Sequence, residues 1–192
     1  MNKVTELIKS IGNPVLYETG GNREFISANI FKLTGYYAEE IRMNRDLFPG
    51  LINPEDYIET NFRIKNWHKN GEPGVLSLNF RFLSSNGEQV WIEDFLIGLI
   101  DGDKKYMQGM MIEITDCKEK EAALLRERSE LRERKDMSEK EKETALSKID
   151  SQLAEMKTLQ QKRHQNITEL LEYARENRVS FSALDLHFLS AK

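Results

Sequence analysis

The chain has 192 residues, of which 39% are hydrophobic and 31% charged, and its net charge at pH 7 is −4. That length suits one domain plus an extension. Acidic and basic residues interleave, so no basic stripe points to nucleic acid and no cationic face to lipid. One cysteine, Cys117, excludes an internal disulfide and a cysteine-rich metal site. No apolar run reaches the roughly 20 residues of a membrane span, and the N-terminus lacks a secretory apolar stretch. A cytoplasmic protein without membrane or nucleic-acid contacts is expected.

Residues 1–11 place Val4, Leu7, Ile8 and Ile11 at helical spacing, the stripe of a short amphipathic helix that needs a surface to cover. The outer face of a following sheet, or a dimer contact, would supply one. Gly12-Asn13-Pro14 ends that helix, Val15-Leu16-Tyr17 begins a strand, and Gly20-Gly21-Asn22 turns the chain into a returning strand at Glu24–Ser27. Short helical pieces follow around Ile30–Leu33 and Ala38–Arg42. Asn53-Pro54-Glu55-Asp56 then opens a longer helix over Glu55–His68, because Pro is tolerated in a first turn and acids favour it.

After Asn70-Gly71 the apolar period changes to two: Leu76, Leu78, Phe80 and Phe82 alternate with Ser77, Asn79 and Arg81. Asn86-Gly87 is a tight hairpin signal, and two more strands run over about 89–100 and 106–114. The spacing predicts an α+β domain: a five-stranded antiparallel sheet with helices inserted between its second and third strands. Phe80, Phe82, Trp91 and Phe95 are candidates to line a pocket, or else they fill the core.

Six phrases in this order resemble the PAS family over residues 12–117. They are Leu33-Thr34-Gly35-Tyr36 with Glu39-Glu40-Ile41; Leu51-Ile52-Asn53-Pro54-Glu55-Asp56; Phe80-Arg81-Phe82; Asn86-Gly87-Glu88; Val90-Trp91-Ile92-Glu93; and Gly109 with Ile112-Glu113-Ile114-Thr115-Asp116. Two positions depart from the family pattern. Glu113 stands where Asp is usual before Ile-Thr, and Asn53 stands where His is common before Pro-Glu-Asp. The resemblance implies a sensor with a cavity that holds haem, flavin, a metabolite or nothing, and a signal relay at the domain exit through Glu113, Thr115 and Asp116.

Covalent flavin chemistry is disfavoured because no cysteine precedes position 117, and haem because His68, alone in this region, sits at a helix end facing Asn70-Gly71. Non-covalent flavin stays open. His164 is followed by Gln165-Asn166 rather than an acidic residue, no glycine-rich nucleotide lid occurs, and His164 and His187 are too far apart for a shared metal. No enzymatic activity is expected.

From Lys118 to Asn177 there is neither Pro nor Gly, about 60 residues, which as one helix would be about 90 Å long. Such a helix needs a partner. Leu146, Ile149, Leu153, Met156, Ile167, Leu170 and Ala174 recur at steps of three and four, with Gln160 and Arg163 as a polar break, so a signalling coiled coil over 118–178 and a parallel homodimer are expected. An antiparallel four-helix arrangement using the tail is the competitor, because the seam does not fix direction. Between Leu131 and Leu146 the only large apolar residue in 132–144 is Met137, which reads as a stutter or as a bent, solvated segment. Ser180 or Ser182 would cap a last short helix in the 179–192 tail, bearing Leu184, Leu186, Phe188 and Leu189.

The function expected is a homodimeric sensor that passes the state of a small ligand or partner to the coiled coil and on to a downstream protein. The alternatives are a constitutive dimerising adaptor, or the input part of a larger histidine kinase or cyclase.

Overall fold

The computed structural model describes residues 7, 10–11, 13–20, 24–44 and 46–184. The strands are β1 (Val15–Thr19), β2 (Phe25–Ile26), β3 (Val75–Leu83), β4 (Gln89–Asp101) and β5 (Lys104–Glu113). They form one sheet in the order β2-β1-β5-β4-β3, with every neighbouring pair antiparallel. Between β2 and β3 run α1 (Ile30–Thr34), α2 (Ala38–Met43), α3 (Leu47–Gly50) and α4 (Pro54–Lys69). This is the α+β sheet with inserted helices that the alternating pattern predicts.

Local chemistry sets the joints. Gly35 closes α1 in the left-handed region at φ 72°, its N–H donating to the Phe31 carbonyl, and a Cβ there would also strike the Ser85 hydroxyl. Asn53 caps α4: its Oδ1 accepts the Glu55 N–H at 3.0 Å, and Pro54 fills the first helical position. Asp56 then takes the Arg81 guanidinium on both oxygens at 2.8 Å, tying the start of α4 to edge strand β3. That guanidinium holds the Asp56 carboxyl below its usual range and lies 5.3 Å from the Trp91 ring centre. The phrases around Pro54-Glu55-Asp56 and Phe80-Arg81-Phe82 are thus two halves of one clamp.

The sheet has two apolar faces. The inner face, with Val15, Tyr17, Leu78, Phe80, Phe82, Ile92, Leu96 and Met111, is packed beneath Ile30, Leu33, Ile41, Leu51 and Trp67 of the inserted helices and their loops. The outer face, with Leu16, Phe95, Ile97, Leu99, Tyr106 and Met110, is covered by Leu7 and Ile11 and by Ile167, Leu170, Leu171, Ala174, Phe181 and Leu184. Leu7, Ser10 and Ile11 are helical, and the Asn166 side chain donates to the Ser10 hydroxyl at 2.8 Å. Val4 and Ile8 of the predicted stripe lie outside the described residues.

The predicted unbroken helix is two helices, α5 (Thr115–Glu133) and α6 (Glu139–Glu176). The break falls in the stretch poor in apolar side chains, where a continuous helix would have nothing to bury, so the bent alternative holds rather than the stutter. Ser138 opens α6 with a capping box: its N–H donates to the Glu141 carboxylate at 2.9 Å, and its hydroxyl takes the Glu141 N–H at 3.4 Å. Leu124, Leu131 and Ile149 bury one another with Leu146, Leu153 and Met156 around them. Arg128 pairs with Asp150 at 2.8 Å, and the Gln160 amide donates to Cys117 Sγ at 3.0 Å, so residues advance along α5 as they retreat along α6. The two helices are an antiparallel pair.

The described residues fall into two compact units, one up to Glu113 together with those from Asn166 onward, the other Ile114–Gln165. In the first, residues 181–184 form a helical turn capped by Ser180, whose hydroxyl takes the Ala183 N–H at 3.4 Å. Leu186, Phe188 and Leu189 lie outside the described residues.

Candidate functional site

On the inner face a cavity of about 620 Å³ lies between the five strands and helices α2 to α4. Tyr17, Ile26, Ile41, Phe48, Ile52, Thr60, Ile64, Phe80, Asp94, Leu96 and Met107 line it, and exposed Glu24, Arg42 and Tyr57 stand at its rim. Its walls are mostly apolar, with Thr19, Thr60 and Asn61 among the polar residues, and they hold one buried polar pair. There the Tyr17 hydroxyl donates to Asp94 Oδ2 at 2.8 Å.

Three strands build that contact. Tyr17 on β1 faces Gly109 on β5, and the ring crosses β5 to reach Asp94 on β4. The missing side chain opens the way, since a Cβ at Gly109 would collide with the Tyr17 ring. Asp94 is 3% exposed, and its Oδ1 has no aligned hydrogen-bond partner in the protein. Burial pushes its carboxyl up to about 7, against the pull of the Tyr17 hydroxyl and the Phe95 backbone N–H. Burial and the neighbouring carboxylate likewise raise the Tyr17 phenol well above its ordinary value.

Of the four aromatic candidates, Phe80 lines the cavity. Phe82 belongs to the same core, edge-on to Phe80 at 5.2 Å and to Phe48 at 5.6 Å, but is not part of the wall. Trp91 and Phe95 require correction. Ile92, Asp94 and Leu96 take the inward parity of β4, so Trp91 lies with Arg81 on the other face and Phe95 is buried against the outer cover. Tyr17 and Asp94 were not candidates. The only signal was the parity of Asp94 with Ile92 and Leu96, a lone acid amid apolar neighbours.

At the domain exit, exposed Glu113 ends β5, Ile114 follows, and half-buried Thr115 with exposed Asp116 opens α5, where an acid suits the helix N-terminus. The seam residues are occupied within the chain. Leu146, Ile149, Leu153 and Met156 face α5, while Ile167, Leu170 and Ala174 cover the sheet. His68 lies outside the cavity wall, its Nδ1 2.7 Å from the Glu72 carboxylate. Among the described residues no group of three or more His, Cys, Asp or Glu could hold a metal ion, and no helix is long and apolar enough to cross a membrane.

On the outer face the Glu18 carboxylate accepts the Gln108 amide at 2.6 Å and the Phe181 N–H at 2.9 Å, and the Gln108 amide also reaches the Val179 carbonyl at 3.0 Å. Residues 17 and 18 therefore face the cavity and the outer clasp respectively.

Residues 23–111 match the family model described as PAS fold. A sensory box histidine kinase/response regulator from Burkholderia thailandensis is similar in structure at a TM-score of 0.52 and 22% identity, over 66% of this chain and 96% of the other. The N-terminal domain of a diguanylate cyclase with PAS/PAC sensor from Marinobacter aquaeolei is similar at 0.43 and 21%, over 53% and 95%. A PAS domain from Colwellia psychrerythraea is similar at 0.43 and 17%, over 60% and 99%. No curated protein matches the chain.

Proposed function

Through residues 23–111 the chain belongs to the PAS family, and from that membership we propose that it is a non-enzymatic sensor whose inner cavity takes a small molecule. The cavity carries this reading. At about 620 Å³ it falls within the range of about 300–1,000 Å³ common to small-molecule sites, with mostly apolar walls and a buried Tyr17–Asp94 pair. A domain that only bound another protein would gain nothing from leaving this space beside a buried carboxylate.

The signal leaves through the other face. Ligand contact at Tyr17 shifts β1, and Glu18 on the same strand then tightens or loosens its hold on Phe181 and, through Gln108, on Val179. A downstream protein reads the released or retained C-terminal segment. A homodimer through the predicted seam belongs to the same proposal: α6 exchanged between two chains would remake the present contacts, a low-cost route to dimers.

Metabolites extracted from purified protein, with native mass spectrometry of the intact chain, test the reading. A small molecule bound in the unmodified protein and lost from Thr60→Trp, which fills the cavity, is expected. If nothing is bound and no compound raises the melting temperature, the constitutive adaptor takes its place. Light scattering at micromolar concentration reads the dimer separately.

A further inference from the structure

We propose that the ligand is a small organic cation, an amine or amidine on a compact apolar body, anchored by Asp94. The proposal rests on the reading of the cavity as a ligand site and names what that site selects.

The argument starts from an incomplete hydrogen-bond set. Asp94 is 3% exposed and stands in the cavity wall, Tyr17 serves its Oδ2, and Oδ1, closed off from water in this arrangement of the wall, has no aligned partner. A buried acceptor in that state carries a desolvation cost that a donor from a ligand would relieve. Tyr17 uses its proton on Oδ2, so it reinforces the acceptor character of the carboxylate.

Charge decides which donor. The ionisable groups around the cavity are Tyr17 and Glu18 on β1, Glu24 before β2, Arg42 on α2, Tyr57 on α4 and Asp94 on β4; α3 offers Phe48 and β5 offers Met107. The Arg42 guanidinium is engaged by Glu39 at 2.6 Å, and the Glu18 carboxylate is committed to the opposite face. Among the described residues the interior thus holds one acid and no opposing base. A carboxylate ligand would meet repulsion there, and a neutral donor would leave Asp94 without its counter-charge. A cation satisfies both the open lone pair and the charge. Because burial raises this carboxyl to about 7, a cation arriving at lower pH displaces its proton into solvent, so uptake is linked to pH.

The test is isothermal titration of the full chain with matched probes on two apolar bodies, indole and naphthalene, each bearing an aminoethyl, a hydroxyethyl or a carboxymethyl group. At pH 8 the aminoethyl forms should bind about 10- to 100-fold more tightly than the hydroxyethyl forms, the worth of one charged hydrogen bond, and the carboxymethyl forms should not bind. At pH 6, titration in two buffers of different ionisation heat should show close to one proton released per amine. Asp94→Asn should erase the amine preference and the proton release while keeping the hydroxyethyl affinity. Equal affinity of amine and alcohol in the unmodified protein, or a preference that survives in Asp94→Asn, overturns the cation assignment and leaves the cavity a ligand site. Failure of all six probes to bind overturns the ligand site itself.

Discussion

The two faces of the sheet are built from the same kinds of residue and filled to different ends. On the outer face Leu16, Phe95, Ile97 and Met110 are covered by the chain's own termini, with Phe181 wholly buried and one polar clasp through Glu18 and Gln108. On the inner face the helices leave a cavity, and the buried polar group is a carboxylate with a lone pair unmet. Neighbouring residues take opposite jobs: Tyr17 and Glu18 on β1, Asp94 and Phe95 on β4. One face is closed by the chain and the other keeps a cavity, and strands only one residue thick separate them.

The largest effect should come from opening the closed face. Phe181→Ala deletes a side chain with no exposure and should cost about 3–5 kcal/mol in urea unfolding. A loss under about 1 kcal/mol would show that the cover adds little and that the faces differ less than they look.

The open face should answer to pH. The native Asp94 carboxyl sits near 7 against an ordinary 3.8, so the folded state holds a proton that the unfolded chain has released. Stability is therefore full below about pH 4, falls as pH rises towards 7, and levels off above it, a loss of at most about 4 kcal/mol. Asp94→Asn should flatten that window and be the more stable protein at pH 8. A variant that keeps the full slope would place the titrating group elsewhere.

The edge where the faces meet depends on Arg81. Arg81→Met strands the Asp56 carboxylate at the start of α4 and should cost about 1–3 kcal/mol, whereas Glu55→Ala, losing an exposed partner, should change stability by about 0.5 kcal/mol or less. Similar losses for the two would mean the clamp is only surface charge. A similarly small effect belongs to the helical pair. Arg128→Ala removes a partly exposed ion pair with Asp150 and should cost about 0.5 kcal/mol, because Leu124, Leu131 and Ile149 hold the hairpin.

Much of the sheet domain was legible in the sequence because its signals are local. Asn86-Gly87 turns, Asn53-Pro54 caps, and Leu78, Phe80 and Phe82 alternate; each acts within a few residues. The partner of the long helices was not legible. Steps of three and four from Leu146 to Ala174 state that one face is apolar and leave open what covers it, and here α5 covers the first part while the second covers the sheet. The cavity wall was obscured for a related reason. β4 is buried on both faces, so Trp91 and Phe95 carry as much apolar character as the inward Ile92 and Leu96, and parity has no polar side to reveal it. Tyr17 and Asp94 meet across β5, a pairing that depends on strand order.

Gly109 has a consequence for how this sequence can drift. A residue with a Cβ there must evict the Tyr17 ring, and a chain without that ring leaves Asp94 as a buried acid with no side-chain donor, only the Phe95 backbone N–H. Position 109 is thus locked while 17 is aromatic, and 94 becomes a liability once 17 is small. A saturation library should find changes at these three sites tolerated in combination and rarely alone, so that residues on three separate strands are inherited as one allele.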